Sequence, residues 1–217
     1  MDTKNKNKII LDLCGGTAAW SAPFKEAGFD VQVITLPDWN VKAAYFMGDT
    51  LIFKRYQDAK KLKIKISDIY GILAAPPCTM FSLARTRAKK PRDFYEGMET
   101  VSACLSIIWE VRKSHKLAFW ALENPMGYLR QFLGKPPFTF NPTDFGERYT
   151  KKTDLWGYYN FPTKKPIQLT EEEKQLMSTN SRKLPSISDI TGSNQAAKRA
   201  ITPRGFAEAF YKANSKL

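Results

Sequence analysis

Residues 8–36, KIILDLCGGTAAWSAPFKEAGFDVQVITL, give the clearest indication of how this chain folds. A short apolar run at 8–13 leads into Gly15 and Gly16, then into a helical stretch, and then into a second apolar run at 31–36. Strand, glycine turn, helix and strand in this order open a parallel α/β sheet. We therefore expect an α/β fold with a mostly parallel sheet and helices on both faces.

Later segments fit the same architecture. Residues 69–75 and 117–122 are apolar runs that predict two more buried strands. Residues 98–111 carry apolar side chains at helical spacing, which predicts a helix packed on the core. Residues 134–165 are rich in glycine, proline, lysine and aromatic residues, and we expect loops and short strands there.

Two helix starts can be located by their capping residues. Thr170 stands three residues before Glu173, which is the spacing of a capping box and predicts a helix over 170–177. Thr202 precedes Pro203, so we expect a last helix with threonine as the N-cap and proline at the first helical position.

Composition excludes several classes of protein. The chain has 217 residues, of which 43% are hydrophobic and 13% aromatic, so it can bury a core and is not disordered throughout. It lacks the glycine period of collagen and the cysteine density of a disulfide scaffold. No apolar run approaches the roughly 20 residues that cross a bilayer. We expect one domain, residues 1–217, and no membrane partner.

Charge and cysteine content indicate the partner and the compartment. Lysine and arginine number 34 against 21 acidic residues, a net charge of +13, which favours a polyanionic partner over a small uncharged one. Three separated cysteines and one histidine fit neither a disulfide framework nor a zinc site. We expect a reduced, cytoplasmic protein without a metal, in which a cysteine is the best candidate nucleophile.

Three unusual sequences follow the predicted strands. DLCGGT follows the first, AAPPCT, which ends in Cys78 and Thr79, follows a middle strand, and LENP, with Glu123, follows a later one. Ligands of open parallel sheets bind at the carboxyl ends of the strands, so we expect these sequences to converge. Glycines there allow a nucleotide-like ligand to approach the backbone, although glycine is also common in any tight turn.

Cys78 and Glu123 are the candidate reactive groups. Two prolines fix the turn before Cys78, and the basic residues that follow predict a lowered pKa and a reactive thiolate. The alternative is a buried structural cysteine. Glu123 ends an apolar strand, where a carboxylate is costly unless it is paired or used in catalysis. The alternative is a carboxylate that only caps a neighbouring backbone N–H group.

The segments DLCGGTAAWSAPFKEAGFDV, AAPPCTMFSLAR and LENP, in this order, resemble the motifs of the cytosine carbon-5 DNA methyltransferases, and most closely their small, phage-type members. The resemblance covers residues 8–130 well and 145–212 loosely. It implies a Rossmann-like methyltransferase fold, S-adenosylmethionine as cofactor, and duplex DNA as partner with the target cytosine flipped out of the helix.

The resemblance also implies roles for individual residues. Cys78 is the expected nucleophile, and Glu123 the carboxyl group that bonds the cytosine ring. The expected cofactor pocket comprises Asp12, Gly15, Gly16 and Pro76, with Asp38 at the ribose, Trp39 on the adenine and Asp49 at the adenine edge. The expected DNA contacts are Arg85, Arg87, Lys89 and Lys90 in the basic loop, and Arg148, Lys151 and Lys152.

The chain departs from the family pattern in places that keep alternatives open. Thr79 follows Cys78 where glutamine is usual, Pro125 follows Glu-Asn where valine is usual, and a Gln-x-Arg-x-Arg segment is missing. Only residues 158–200 offer room for target recognition. RNA or a nucleotide as substrate, and a non-catalytic nucleic-acid-binding relative, remain alternatives; an amino-group methyltransferase fits neither turn.

Overall fold

A computed structural model describes residues 5–55, 57–85, 88, 90–178, 184, 186–187 and 195–216. Its strands are β1 (Ile9–Leu13), β2 (Asp30–Ile34), β3 (Tyr45–Met47), β4 (Thr50–Lys54), β5 (Lys61–Lys65), β6 (Ile69–Ala74), β7 (Phe119–Pro125), β8 (Phe138–Phe140) and β9 (Thr153–Tyr158). Its α-helices are α1 (Ala22–Glu26), α2 (Phe94–Ser114), α3 (Arg130–Leu133), α4 (Glu171–Ser178), α5 (Gln195–Ala200) and α6 (Arg204–Asn214).

The central sheet has six strands in the order β2-β1-β6-β7-β9-β8. The first four strands are mutually parallel, whereas β9 runs antiparallel to both β7 and β8. The expected α/β fold with a mostly parallel sheet is confirmed. The antiparallel end falls in residues 134–165, the region for which the composition predicts short strands.

Helices cover both faces of this sheet. Side chains alternate along each strand, so neighbouring residues pack against helices on opposite faces. Leu11 and Leu13 of β1 pack in one hydrophobic cluster with α2, while Ile10 of the same strand packs in the other. The second cluster contains Phe24 of α1 and Phe206 of α6. Parallel strands that are buried on both faces have the near-continuous apolar sequence that β1 and β6 display.

The connection from β2 to β6 differs from the expectation, because it contains a separate three-stranded antiparallel sheet, β3-β4-β5. Strand β5, with the pattern KLKIK, alternates between inward apolar and outward polar residues, whereas β4 buries three consecutive apolar residues. Leu51, Phe53 and Ile64 of this small sheet join the cluster on the α2 side. A packed antiparallel sheet therefore covers part of the core there.

The expected boundaries are correct to within a few residues, with physical reasons for each difference. Helix α2 begins earlier because the Asp93 side chain caps it, accepting from the Glu96 N–H at 2.9 Å. Strand β7 extends to Pro125 because β9 pairs with it as far as that residue. The capping box of Thr170 and Glu173 is confirmed, with hydrogen bonds in both directions.

The expected start of the last helix is wrong by one residue. Pro203 is the N-cap of α6 and the helix begins at Arg204, with no side-chain cap. Thr202 is buried ahead of it. Across the part of the chain that the structure describes, no helix has both the length and the apolar character needed to span a bilayer.

Aromatic rings attach α6 to the sheet. The rings of Phe206 and Phe140 stack with centroids 3.9 Å apart, and Phe210 packs edge-on against Phe119 at 5.5 Å. Trp20, in the turn before α1, contacts both α6 phenylalanines. The last helix is therefore part of the core that supports the end of β1.

We predict that Phe206→Ala lowers the free energy of unfolding by about 3–5 kcal/mol, because it opens a cavity beneath α6. Urea unfolding followed by circular dichroism measures the change. Phe161→Ala is the control: this ring is 58% exposed, so the expected loss is below about 1 kcal/mol. Equal losses in the two variants would contradict the packing described for α6.

Candidate active site

The strand order creates a crevice at one edge of the sheet. The chain passes from β1 to β2 on one side and later returns to β6 on the other side of β1. The carboxyl ends of β1, β6 and β7 therefore meet at the edge where ligands of open α/β sheets bind. A hydrogen bond of 2.9 Å from the Ala75 N–H to the Leu13 carbonyl joins the first two ends. We call this the carboxyl edge.

The glycine turn after β1 packs on a buried carboxylate. Asp12 is fully buried, and the Ser21 hydroxyl donates to its Oδ2 at 2.5 Å. A Cβ atom at Gly15 would lie 2.3 Å from the Asp12 Cγ, so any side chain there collides with the carboxyl group. The Asp12 Oδ1 has no hydrogen-bond partner among the described residues. The turn thus leaves a buried acceptor oxygen without a hydrogen-bond partner.

The same turn holds its backbone in the left-handed region. Cys14, Gly16 and Ala18 have φ angles of 59°, 53° and 60°. Two of the three carry a side chain, and each such residue costs roughly 1 kcal/mol or more. Within the described residues, the N–H groups of Gly15, Gly16 and Thr17 make no backbone hydrogen bond. A strained turn with free amide donors is typical of a loop that holds an anionic ligand.

Burial makes the Asp12 carboxyl group a weaker acid than usual. Desolvation raises its pKa from 3.8 to about 6, and the Ser21 hydrogen bond offsets only part of that shift. At neutral pH the carboxylate is ionised at a cost in stability, because water is excluded from it. A ligand that brings a cation or a donor to Oδ1 would relieve that cost.

Asp38 and Trp39 follow β2 and are linked by Arg55, which no motif of the sequence indicates. The Arg55 guanidinium lies 3.8 Å from the Asp38 carboxylate and 4.9 Å from the centroid of the Trp39 ring. Arg55 comes directly after β4, so the small sheet contributes this cation to the neighbourhood of β2. The sequence around Arg55 carries no signal for this, because the contact joins segments that follow strands of two different sheets.

Asp49 makes no described contact with this group. It lies in the turn before β4, and its carbonyl accepts from the Ile66 N–H at 2.8 Å, just ahead of β6. Arg55, beside Asp38 and Trp39, follows the other end of β4, and the five residues of that strand span roughly 15 Å. The structure therefore does not bring Asp49 together with Asp38 and Trp39, and its role at the adenine edge stays a prediction.

The turn that carries Cys78 is tied to β7. The Asn124 side chain donates to the Pro76 carbonyl at 3.0 Å, and both residues are buried. After the turn, the N–H groups of Phe81 and Ser82 donate to the Cys78 carbonyl at 2.9 and 2.8 Å. The sequence does not indicate this role of Asn124, since Asn-Pro at a strand end predicts only an exit turn.

Glu123 and Lys151 are buried together beside Cys78. Their side chains are 12% and 6% exposed, and the Lys151 Nζ lies 3.8 Å from the Glu123 Oε1. Strand β9 brings the lysine there, because Thr153 pairs with Pro125 at the end of β7. Lys151 was expected as a DNA contact, and the structure places it against the candidate reactive groups.

Glu123 and Lys151 act in opposite directions on the pKa of Cys78. Burial, and then the nearby Glu123 carboxylate, raise the pKa of the Cys78 thiol, while Lys151 lowers it. Burial also raises the pKa of Glu123, and Lys151 opposes that shift. The expected lowering of the pKa of Cys78 is wrong: desolvation and the carboxylate prevail, and Lys151 supplies the opposing positive charge.

The other expected basic residues have mixed surroundings. Arg85 donates to the Lys90 carbonyl at 2.8 Å, which closes the loop after Cys78, and Lys90 pairs with Glu96 at 3.4 Å. Arg148 pairs with Glu173 of α4. Lys152 is exposed ahead of β9. Arg87 and Lys89 lie outside the described residues.

A third buried carboxylate stabilises the walls of the site. Asp154 is fully buried in β9 and receives both the Arg130 Nε and a terminal nitrogen at 2.6 Å. The Thr139 hydroxyl adds a third bond at 2.8 Å. This network joins α3, β8 and β9, and β9 is the strand that brings Lys151 to the site. None of these residues stands out in the sequence.

Comparison with known proteins gives one partial similarity. The type II methyltransferase M.DdeI of Desulfomicrobium norvegicum (strain DSM 1741 / NCIMB 8310) is 32% identical over 90 residues. These residues make up 39% of this chain and 22% of the relative, so the chain spans about a fifth of the relative's length. No protein-family model matches the chain.

We predict that Asp12→Asn stabilises the protein above about pH 6, by the order of 2 kcal/mol. The raised pKa means that the native state favours the protonated carboxyl group. The free energy of unfolding of the wild type therefore falls as pH rises from 3.8 through about 6, while that of the variant does not. Urea unfolding across this range measures the difference. A gain that stays constant with pH would contradict the titration of Asp12.

We predict that Lys151→Gln raises the pKa of Cys78 further and that Glu123→Gln lowers it. The rate of Cys78 alkylation by iodoacetamide against pH, followed by mass spectrometry of the Cys78 peptide, measures both shifts. Lys152→Gln is the matched control, because this neighbouring lysine is exposed and should leave the profile unchanged. Shifts of the same sign in the Lys151 and Glu123 variants would overturn the proposed coupling.

Proposed function

We propose that this protein is an S-adenosylmethionine-dependent methyltransferase that transfers a methyl group to carbon 5 of cytosine in DNA. Three lines support the proposal: the order of the DLCGGT, AAPPCT and LENP segments, the similarity of part of the chain to a methyltransferase, and the sheet order with its crevice at the carboxyl edge. Together they favour a Rossmann-like methyltransferase fold.

One observation carries the chemistry. A thiol, a carboxyl group and a buried ammonium group meet where β6, β7 and β9 come together, close enough for the carboxyl and ammonium groups to shift the pKa of the thiol. Burying acidic and basic side chains together is costly in a core that has only a structural role. Their grouping at a ligand-binding edge favours nucleophilic catalysis over a structural role for Cys78.

The residues around β1 suit the proposed cofactor. The free Oδ1 of Asp12 and the unpaired amides of residues 15–17 offer an acceptor for an ammonium group and donors for a carboxylate, as an amino-acid moiety requires. Asp38 and Trp39 are assigned to the ribose and the adenine, with Arg55 beside both. When bound, S-adenosylmethionine supplies an electrophilic methyl group.

The protein's own residues then activate the base. The Cys78 thiolate forms a bond to carbon 6 of cytosine, and the ring electrons move toward carbon 5, which becomes nucleophilic. Glu123, with its raised pKa, gives a proton to ring nitrogen 3 as negative charge arrives there. After transfer, a base removes the carbon-5 proton, and the electron pair of that bond restores the ring double bond and expels the thiolate. The proton on ring nitrogen 3 returns to Glu123.

Lys151 balances two opposing demands in this scheme. The reaction needs an ionised thiol and a protonated carboxyl group, whereas the raised pKa of Cys78 favours the neutral thiol. Lys151 lowers the pKa of the thiol and so keeps a reactive fraction. The active protonation state then belongs to the coupled group, so we expect a bell-shaped dependence of rate on pH.

The remaining residues are assigned to holding DNA. A base inside a duplex cannot reach Cys78, so the target must be flipped out, with Arg85, Lys90 and Lys152 on flanking phosphates. Residues 158–200 are proposed as a small target-recognition region. Part of this range lies outside the described residues.

We predict that the protein, incubated with S-adenosylmethionine and mixed-sequence duplex DNA, produces 5-methyldeoxycytidine. Mass spectrometry of the digested nucleosides detects it. Cys78→Ala should abolish the product and leave cofactor binding near the wild-type level in calorimetry, because Cys78 acts on the base. Full activity in this variant would rule out the covalent route.

Two negative results would lead to different conclusions. Bound cofactor without a DNA product would move the substrate to RNA or a nucleotide, and the same digestion then tests these. Absence of both product and cofactor binding would contradict the proposed function and favour a non-catalytic nucleic-acid-binding protein.

A further inference from the structure

The small sheet β3-β4-β5 has an apolar face toward the core and an outer face on which exposed lysines surround the buried Ile52 of β4. Phe46, Leu51, Phe53, Leu62 and Ile64 point toward the core on the α2 side. The opposite face displays four exposed lysines, two on directly paired positions and two further along β5. They are Lys54, Lys61, Lys63 and Lys65, and we call them the lysine face.

These lysines lack the acidic partners that neighbouring cations have. Lys60 pairs with Asp58 at 3.3 Å and Lys42 pairs with Glu99 at 2.8 Å. In the part of the chain that the structure describes, none of the four lysine-face side chains takes part in an ion pair within 4.0 Å. Their charge is therefore not neutralised by this face of the protein.

The arrangement also carries an internal cost. Lys54 stands directly opposite Lys61 in the antiparallel register, and like charges in that position destabilise a sheet. Lysine on an exposed edge strand discourages pairing with other strands, which would account for lysines on β5. Edge protection does not account for Lys54, because β4 is the central strand. Phosphates of a bound polyanion would offset the repulsion between these lysines.

The geometry suits a linear polyanion. Lys61, Lys63 and Lys65 alternate on one strand, so their Cα atoms are roughly 6.6 Å apart. The sugar–phosphate backbone carries one negative charge per nucleotide in a regular row, so three flexible lysines in a row can meet neighbouring phosphates of one strand. Tyr45 and Met47, on the same face and 38% and 61% exposed, provide apolar contacts for sugars or unpaired bases.

The lysine face also adjoins the carboxyl edge at one end. Lys54 directly precedes Arg55, whose guanidinium contacts Asp38 and Trp39 after β2. A nucleic acid seated at the crevice can therefore continue past Asp38 onto β4 and β5. No residue of the lysine face belongs to the group around Cys78.

We propose that the lysine face binds the phosphate backbone of nucleic acid outside the crevice at the carboxyl edge. It adds sequence-independent affinity to the contacts made at the crevice itself. This inference goes beyond the proposed function and does not require that the bound nucleic acid be methylated.

The test is the salt dependence of DNA binding. Fluorescence anisotropy with a labelled duplex gives the dissociation constant over a range of salt concentrations, for wild type and for a variant with Lys54, Lys61, Lys63 and Lys65 all replaced by glutamine. The plot of log affinity against log salt should become shallower by about 0.9 for each phosphate that is no longer neutralised, and by up to about 3.6 for four.

Two further variants make the result specific. A matched variant with glutamine at Lys25, Lys116, Lys212 and Lys216 removes the same charge from exposed positions elsewhere and should keep the wild-type slope. Arginine at the four lysine-face positions should also keep it, and this shows that the face folds with other side chains. An unchanged slope in the lysine-face variant, or an equal change in the matched variant, would overturn the proposal.

The competing partner is an anionic membrane. Flotation with phosphatidylserine–phosphatidylcholine vesicles should show no binding that depends on the lysine face; loss of vesicle binding with intact DNA binding would overturn the assignment. Failure of the lysine-face proposal is distinguishable from failure of the proposed function. The lysine-face substitutions should leave cofactor binding and the yield of 5-methyldeoxycytidine on saturating DNA unchanged.

Discussion

Water solvates charge better than a protein interior does, yet Asp12, Glu123 and Lys151 are buried where β1, β7 and β9 meet the carboxyl edge. Only Glu123 and Lys151 are paired with each other, and their pairing is loose at 3.8 Å. The pKa of Asp12 is raised to about 6 because its carboxyl group is desolvated. The rest of the structure must hold these groups against their tendency to reach water.

That support comes from buried hydrogen bonds and from aromatic packing. Arg130 and Thr139 satisfy the buried Asp154 carboxylate, Asn124 fixes the turn before Cys78, and the aromatic rings of α6 pack behind β1. Stability is thus concentrated around the site, while the site itself keeps an unpaired acceptor and left-handed backbone. This distribution is expected of a region adapted to bind and react.

The sequence was most informative where local pattern determines structure. The run of strand, glycine turn and strand predicted the parallel sheet, and the capping box at Thr170 predicted α4, because both signals act within a few residues. The small sheet β3-β4-β5, the contact of Arg55 with Trp39 and the burial of Lys151 depend on register between distant strands. A short motif such as the one around Asp49 likewise does not show which end of a strand it occupies.

Cys78 is proposed to be a nucleophile directed at cytosine. DNA that contains 5-fluorocytosine can trap such a nucleophile, because fluorine at carbon 5 cannot leave as a proton and the protein–DNA bond persists after methyl transfer. We expect an adduct that requires S-adenosylmethionine and maps by mass spectrometry to the Cys78 peptide. An adduct at Cys14 or Cys104, or none under conditions where cofactor and DNA both bind, would contradict it.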